Sequence, residues 1–245
     1  MKPFFKFYEV GGKVRDEILG LESKDVDYVA VPKESLIEEF PEAADLFTVL
    51  VDYLKREKFE VFLVTAGCYT VRAKFPSDHR YQGVADFVMA RKEVGYLPGT
   101  RTPVVKPGTL YDDLERRDFT LNALAKDEDG KIIDFFNGWR DLEDGVLRTP
   151  LPCHVTFADD PLRILRAIRF VITKGFVMTS EMRAVIKEFD YAEKMRVVST
   201  ERIREELYKC FKHDTLGTIK VLSSFPDLME YVFSKNLWLK PTMEE

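Results

Sequence analysis

Cysteine and histidine are scarce. There are three of each in 245 residues, and Cys68, Cys153, Cys210, His79, His154 and His213 are scattered without the spacing of metal ligands. That argues against a zinc centre or a disulfide framework and leaves reduced, buried thiols as the reading of the cysteines. Long hydrophobic runs are absent as well. No apolar stretch can span a bilayer, and the opening MKPFFKFYEV lacks the continuous apolar core of a signal peptide. A soluble cytoplasmic protein without a membrane partner is therefore expected. Nor does one charge dominate: a net charge of −5 and a pI near 5.5 do not advertise a nucleic-acid binder. Any RNA contact must rest on local basic patches. Repeats and low-complexity segments are missing too. With 45% hydrophobic residues, the chain has material for one large domain or two small ones with a real core.

The most informative stretch is YEVGGKVRDEILGLESKDVDYVAV, residues 8–31. It reads as a strand, a glycine turn, a short helix and a second strand. Val14, Ile18 and Leu19 form an apolar stripe at helical spacing, and Gly20 is a stop signal. The β-branched run around Val26, Val29 and Val31 follows as a strand. Side chains alternate across a strand, so Asp25 and Asp27 project from one face, where two carboxylates can hold Mg²⁺ and leave positions for substrate phosphates. Gly11 and Gly12 precede the helix, where bare N–H groups and the dipole attract phosphate, and Arg15 lies one turn in. A Gly-Gly pair alone is usually only a turn, and a D-x-D alone is usually solvated.

Further along, residues 43–58 have the apolar spacing of a packing helix (Leu46, Val49, Leu50, Tyr53, Leu54). CYTVRAKF and VADFVMARKE flank a polar loop as a hairpin, with Asp86 on its second strand. Residues 94–109, rich in Gly, Pro and Thr, show no period of helix or strand and read as a long loop. RRDFTLNALA follows. Its Arg117 has the fork that clamps phosphate, while Asp118 and Asn122 are suited to ribose hydroxyls. NALAKDEDGKIIDFF reads as a hairpin closed at Asp129-Gly130. In GWRDLEDGVLR, Asp141 and Arg148 are placed to pair.

From Thr156 the pattern turns helical. Pro161 sits near the first helical position and Gly175 past the end of a helix whose buried stripe is Leu162, Leu165, Ile168 and Ile172. Arg163, Arg166 and Arg169 fall three apart and share a neighbouring face. Asp160 serves either as a helix cap or as a binding group. Helices over 180–189 and 199–211 are expected next, then one more helix and a tail.

The order Gly-Gly, Arg15, D-x-D, RRDFTLNA, G-x-x-D-L-x-x-x-x-x-R and Asp159-Asp160-Pro161-Leu162-Arg163 resembles the DNA polymerase β-like nucleotidyltransferases. Within them the chain is similar to the class II tRNA nucleotidyltransferase (CCA-adding) and bacterial poly(A) polymerase family, over residues 8–211. One departure is Asp159, where the family motif E-D-x-x-R has Glu.

The resemblance implies an α+β fold. A head of residues 1–147 would hold a mixed, mostly antiparallel, five-stranded sheet with flanking helices, followed by an all-α neck and partial body over 148–245. It implies two Mg²⁺ held by Asp25 and Asp27 with Asp86 as a third carboxylate. Nucleotide contacts would come from Gly11, Gly12, Arg15, Arg117, Asp118, Asn122, Asp160, Arg163, Arg166 and Arg169. Asp160 and Arg163 would imitate a template base for CTP and ATP, and the loop over 94–109 would help switch from C to A addition. The expected reaction is template-independent addition of C and A to the 3′ end of tRNA. The alternatives are a poly(A) polymerase, a CC-only or A-only enzyme, or a non-catalytic RNA-binding partner subunit. Family members usually continue into helical segments that grip tRNA, which leaves three readings: a minimal enzyme, a grip completed by a homo-oligomer or second chain, or a segment that has been lost.

Overall fold

The computed structural model describes residues 4–23, 26–79, 81–97 and 103–234. The chain forms two compact units that divide between Arg140 and Asp141.

The first unit opens as the glycine pattern requires, with β1 (Phe5–Val10), α1 (Gly12–Ile18) and β2 (Val26–Pro32). Next come α2 (Glu34–Glu39), α3 (Ala43–Arg56), β3 (Glu60–Thr65), β4 (Thr70–Lys74) and β5 (Val84–Met89). They are followed by β6 (Arg91–Tyr96), β7 (Pro103–Pro107), α4 (Leu110–Glu115), β8 (Leu124–Lys126) and β9 (Ile132–Asp134). Among the described residues the main sheet has seven strands in the order β3-β4-β5-β2-β1-β8-β9. β2 and β5 run parallel, while every other neighbouring pair is antiparallel.

The expected count of five strands is therefore corrected to seven. The hairpin β8–β9 joins the sheet through only two residue pairs, Glu9 with Lys126 and Val10 with Ala125, a nonlocal pairing that no local pattern announces. The expected structureless loop is corrected too. β6 and β7 make a separate antiparallel ribbon with a register shift between Glu93 and Gly95. The prolines that obscured it, Pro103 and Pro107, occupy the ends of β7, where proline is tolerated in a strand.

Alternation sorts the sheet into two faces. Tyr28 and Ala30 of β2, with Ala85, Phe87 and Met89 of β5, pack under Leu46, Leu50 and Leu54 of α3. Val29 turns the other way, into a cluster with Tyr8, Val10, Leu110, Leu114, Ala123 and Ala125. By the same alternation Asp27 and Asp86 share the second face, the one that α4 and the RRDFTLNA segment cover.

The chain leaves this unit within α5 (Gly138–Glu143). Gly138 is required there, because a Cβ on it would collide with the Thr120 carbonyl.

The second unit comprises β10 (Val146–Leu147), α6 (Cys153–Asp159), α7 (Leu162–Lys174), β11 (Val177–Met178), α8 (Ser180–Lys187), α9 (Tyr191–Lys194), α10 (Thr200–His213), α11 (Thr215–Ser223) and α12 (Pro226–Ser234). It is not wholly helical, since β10 and β11 pair in parallel. Arg148 and Asp141 pair as expected, with Nε 3.2 Å from both carboxylate oxygens. Gly175, at φ +74°, ends α7 in the left-handed conformation. The buried stripe of α7 is broader than expected, adding Ile164, Ala167 and Phe170, while Ile172 is only half-buried. In place of one last helix there are two. Pro226 lacks the N–H a continuing helix would need, so it begins α12 instead. The expected tail lies outside the described residues.

Candidate active site

Register brings the first three groups together. Val10 ends β1 opposite Asp27, so the turn that follows lies beside that carboxylate. Gly11 holds φ +73°, a conformation that suits glycine. A Cβ built there would sit 3.1 Å from Arg117 Nη1 and 3.6 Å from Asp27 Oδ2. A glycine backbone, a guanidinium and a carboxylate thus meet within a few ångströms. No side chain caps α1, which leaves its first N–H groups to other acceptors.

The RRDFTLNA segment supplies the scaffold. A capping box starts α4: Thr109 Oγ1 accepts from the Asp112 amide at 3.2 Å, and Asp112 Oδ2 accepts from the Thr109 amide at 2.8 Å. That start turns Asp113 inward, where it is fully buried. Its two oxygens hold Arg116 and Arg117, three and four residues on, the latter at 3.1 Å. Arg117 also donates through Nη1 to the Asn122 carbonyl at 3.3 Å, so its guanidinium is fixed next to Gly11. Asp118 and Asn122 are both buried. Asp118 Oδ1 accepts from the Phe119 amide at 2.8 Å and from Asn122 Nδ2 at 2.9 Å. Asn122 Oδ1 in turn accepts from Arg15 Nη1 at 2.6 Å, and Arg15 Nε donates to Asp16 at 2.9 Å. Asp118 and Asn122 therefore aim Arg15 from behind, a positioning part that the segment read alone did not reveal.

Asp86 stands directly across from Asp27 on the parallel neighbour strand. Arg72 of β4 grips it through both oxygens, at 2.8 and 2.9 Å. With Arg72 48% exposed, that pair contributes at most about 1 kcal/mol. Carboxylate oxygens side by side on one face suit a hard divalent ion such as Mg²⁺. Asp25, the other acid of the D-x-D pair, lies outside the described residues. Among the described residues no three His, Cys, Asp or Glu side chains come together as a ligand group.

In the helical unit, Leu162 donates its amide to Asp160 Oδ1 at 3.1 Å and Arg163 donates its amide to the Asp160 carbonyl at 3.0 Å. Arg163 Nη1 reaches the Thr156 carbonyl at 3.5 Å. Arg163, Arg166 and Arg169 are all half-buried along one seam of α7. Arg169 donates through Nε to Glu206 of α10 at 2.6 Å.

Asp113 and Arg72 were the residues that sequence reasoning missed. For Asp113 the signal existed: an acid followed at three and four residues by arginine.

Residues 7–148 match the family described as the poly A polymerase head domain. The chain belongs to that family. Among curated proteins of related sequence, it is 35% identical over 205 residues to the multifunctional CCA protein of Nitrosomonas eutropha and 38% identical over 208 to that of Neisseria gonorrhoeae. Each alignment covers 82% of this chain and 43% of the relative, so the chain spans under half the length of these curated relatives. The CCA-adding enzyme of Thermotoga maritima, solved with tRNA, shares its fold at TM-score 0.68 and 27% identity, covering 94% of this chain and 49% of that one. A tRNA nucleotidyltransferase solved with a primer tRNA and an ATP analogue superposes at 0.68 and 28% identity, over 93% and 59%. The head-domain family and these neighbours agree with the expected sheet-and-helix nucleotidyltransferase head followed by helices.

The grip on Arg117 yields a first prediction. Burial alone would push the Asp113 carboxyl up, but the Arg116 and Arg117 guanidiniums outweigh it and hold it below the usual carboxylate range. A depressed carboxyl stabilises the fold above its unfolded pKa and loses that share as pH falls through the folded one. Asp113→Asn is therefore expected to lose about 3 kcal/mol at pH 7 in urea titrations, since two half-buried guanidiniums lose their counter-charge. The gap from the parent should narrow below about pH 4. An equal gap at pH 7 and pH 3 would contradict the assignment.

Proposed function

We propose that the chain is the nucleotide-transferring part of a template-independent RNA nucleotidyltransferase. It would add C and A to the 3′ end of tRNA from CTP and ATP, releasing pyrophosphate. The RNA 3′ hydroxyl attacks the α-phosphate, and the bond from that phosphorus to the bridging oxygen breaks. What carries this reading is the meeting of Gly11, Arg117 and Asp27 at the mouth of α1, with Arg15 aimed by Asn122.

Arg117 and Arg15 hold the triphosphate as fixed guanidiniums, and the Gly11–Gly12 backbone admits its close approach. Asp113, Asp118 and Asn122 keep those guanidiniums in place, so the charge is pre-aligned before substrate arrives. Asp27 and Asp86, with Asp25, would hold two Mg²⁺, which when bound activate the attacking hydroxyl and offset charge on the leaving group. In the helical unit Asp160 accepts from the exocyclic amine of cytosine or adenine, and Arg163 donates to the ring nitrogen beside it. Guanine and uracil present the reverse pattern at that edge and are rejected. Arg166 and Arg169 contact the nucleotide from the same seam. Support comes from relatives called multifunctional CCA proteins and from neighbours solved with CTP and with tRNA.

Calorimetric titration with each nucleoside triphosphate in Mg²⁺ tests substrate class. CTP and ATP are expected to bind at least tenfold more tightly than GTP and UTP, and all four weakly in EDTA. Equal affinity for the four, or no dependence on Mg²⁺, would overturn the reading.

A further inference from the structure

The sheet face opposite Asp27 carries a cavity of about 520 Å³, a size typical of small-molecule sites. Its walls are aromatic: Phe7, Tyr53, Phe59, Phe75 and His79 line it, over the Tyr28 and Phe87 rings of the sheet. The walls are interlocked, since His79 stacks on Phe75 at 4.5 Å and 16° and Tyr28 on Phe87 at 5.2 Å and 8°.

The charges facing this space are lopsided. Glu9, Glu57, Asp78, Asp127 and Glu128 line it, against Lys126 as the one lysine or arginine among the described residues that line it. Glu9 is 3% exposed and accepts from Tyr81 Oη at 2.8 Å, with Lys126 Nζ 3.0 Å away. Lys126 is shared with Glu17 at 2.6 Å. Among the described lining residues, five carboxylates against one ammonium leave a negative excess around the aromatic walls. Such a lining repels phosphates and carboxylates, so a nucleotide is a poor occupant. A single small cation fits no better, because the walls offer rings rather than oxygen ligands.

The complementary ligand alternates positive nitrogens with methylene segments. Ammonium groups meet the carboxylates and ring faces, while the alkyl segments lie along the rings. We infer that this aromatic, acid-rimmed cavity is a binding site for a linear aliphatic polyamine, separate from the nucleotide site and on the other face of the sheet.

The probe is spermidine, titrated calorimetrically and by thermal unfolding at fixed ionic strength into the full chain. Saturable binding with a raised Tm is expected. The rim variant Glu57→Gln/Asp78→Asn and the wall variant Tyr53→Ala should each weaken it about tenfold with an unchanged circular dichroism spectrum. n-Butylamine and Mg²⁺ at matched ionic strength should not compete. Spermidine affinity that survives in both variants, or competition by Mg²⁺, would overturn the inference. So would loss of binding in Asp27→Asn with retention in the rim variant, which would move the amine to the nucleotide site. None of these outcomes depends on the proposed transfer activity.

Discussion

Replacing Asp27 by asparagine is expected to lower nucleotide incorporation about a thousandfold while the urea midpoint moves little. Asparagine keeps the size of the side chain and removes the charge that would hold a divalent ion. Metal charge stabilisation amounts to several kcal/mol in the transition state, and about 4 kcal/mol corresponds to a thousandfold in rate. Asp27 is half-buried next to Gly11, so the isosteric change leaves packing intact. Asp86→Asn should cost less, about tenfold to a hundredfold, because Arg72 already shares that carboxylate. Incorporation at the parent rate in Asp27→Asn would remove Asp27 from the chemistry.

The second large effect concerns choice of base. Asp160→Ala and Arg163→Ala are each expected to collapse the preference for CTP and ATP over GTP and UTP by about a hundredfold in kcat/KM, since a base edge then loses its matched partner. Asp160 also receives the Leu162 amide at the start of α7, so alanine removes a helix cap as well. Asp160→Asn separates the two roles. Asparagine caps as well as aspartate, yet its amide can donate where the carboxylate only accepts. Stability should therefore survive in Asp160→Asn while selectivity falls. Unchanged discrimination in both Asp160 variants would show that base choice lies elsewhere.

Local sequence carried the elements whose signals are local. The β1–α1–β2 unit followed from the glycine turn and the β-branched run, and α7 from Pro161 and Gly175. The β8–β9 hairpin followed from Asp129-Gly130, whose glycine takes φ +82°. What stayed hidden depends on partners distant in the chain. Arg72 meets Asp86 because β4 and β5 pair in one register, and nothing near either residue fixes that register. Arg15 is aimed by Asn122 across 107 positions, so RRDFTLNA read alone could not show that Asn122 also holds an arginine. The β6–β7 ribbon was masked by prolines that a strand accepts only at its ends. Asp113 could have been found, had the arginines at three and four residues been read as its partners rather than as a separate pair.

The most direct measurement is incubation of the chain with tRNA lacking its terminal nucleotides, in Mg²⁺, with labelled CTP alone, ATP alone and both. The expected result is two cytidines from CTP alone, a terminal adenosine only when both are present, and then a stop. Progressive tails from ATP alone, or no incorporation from either, would contradict CCA addition by this chain.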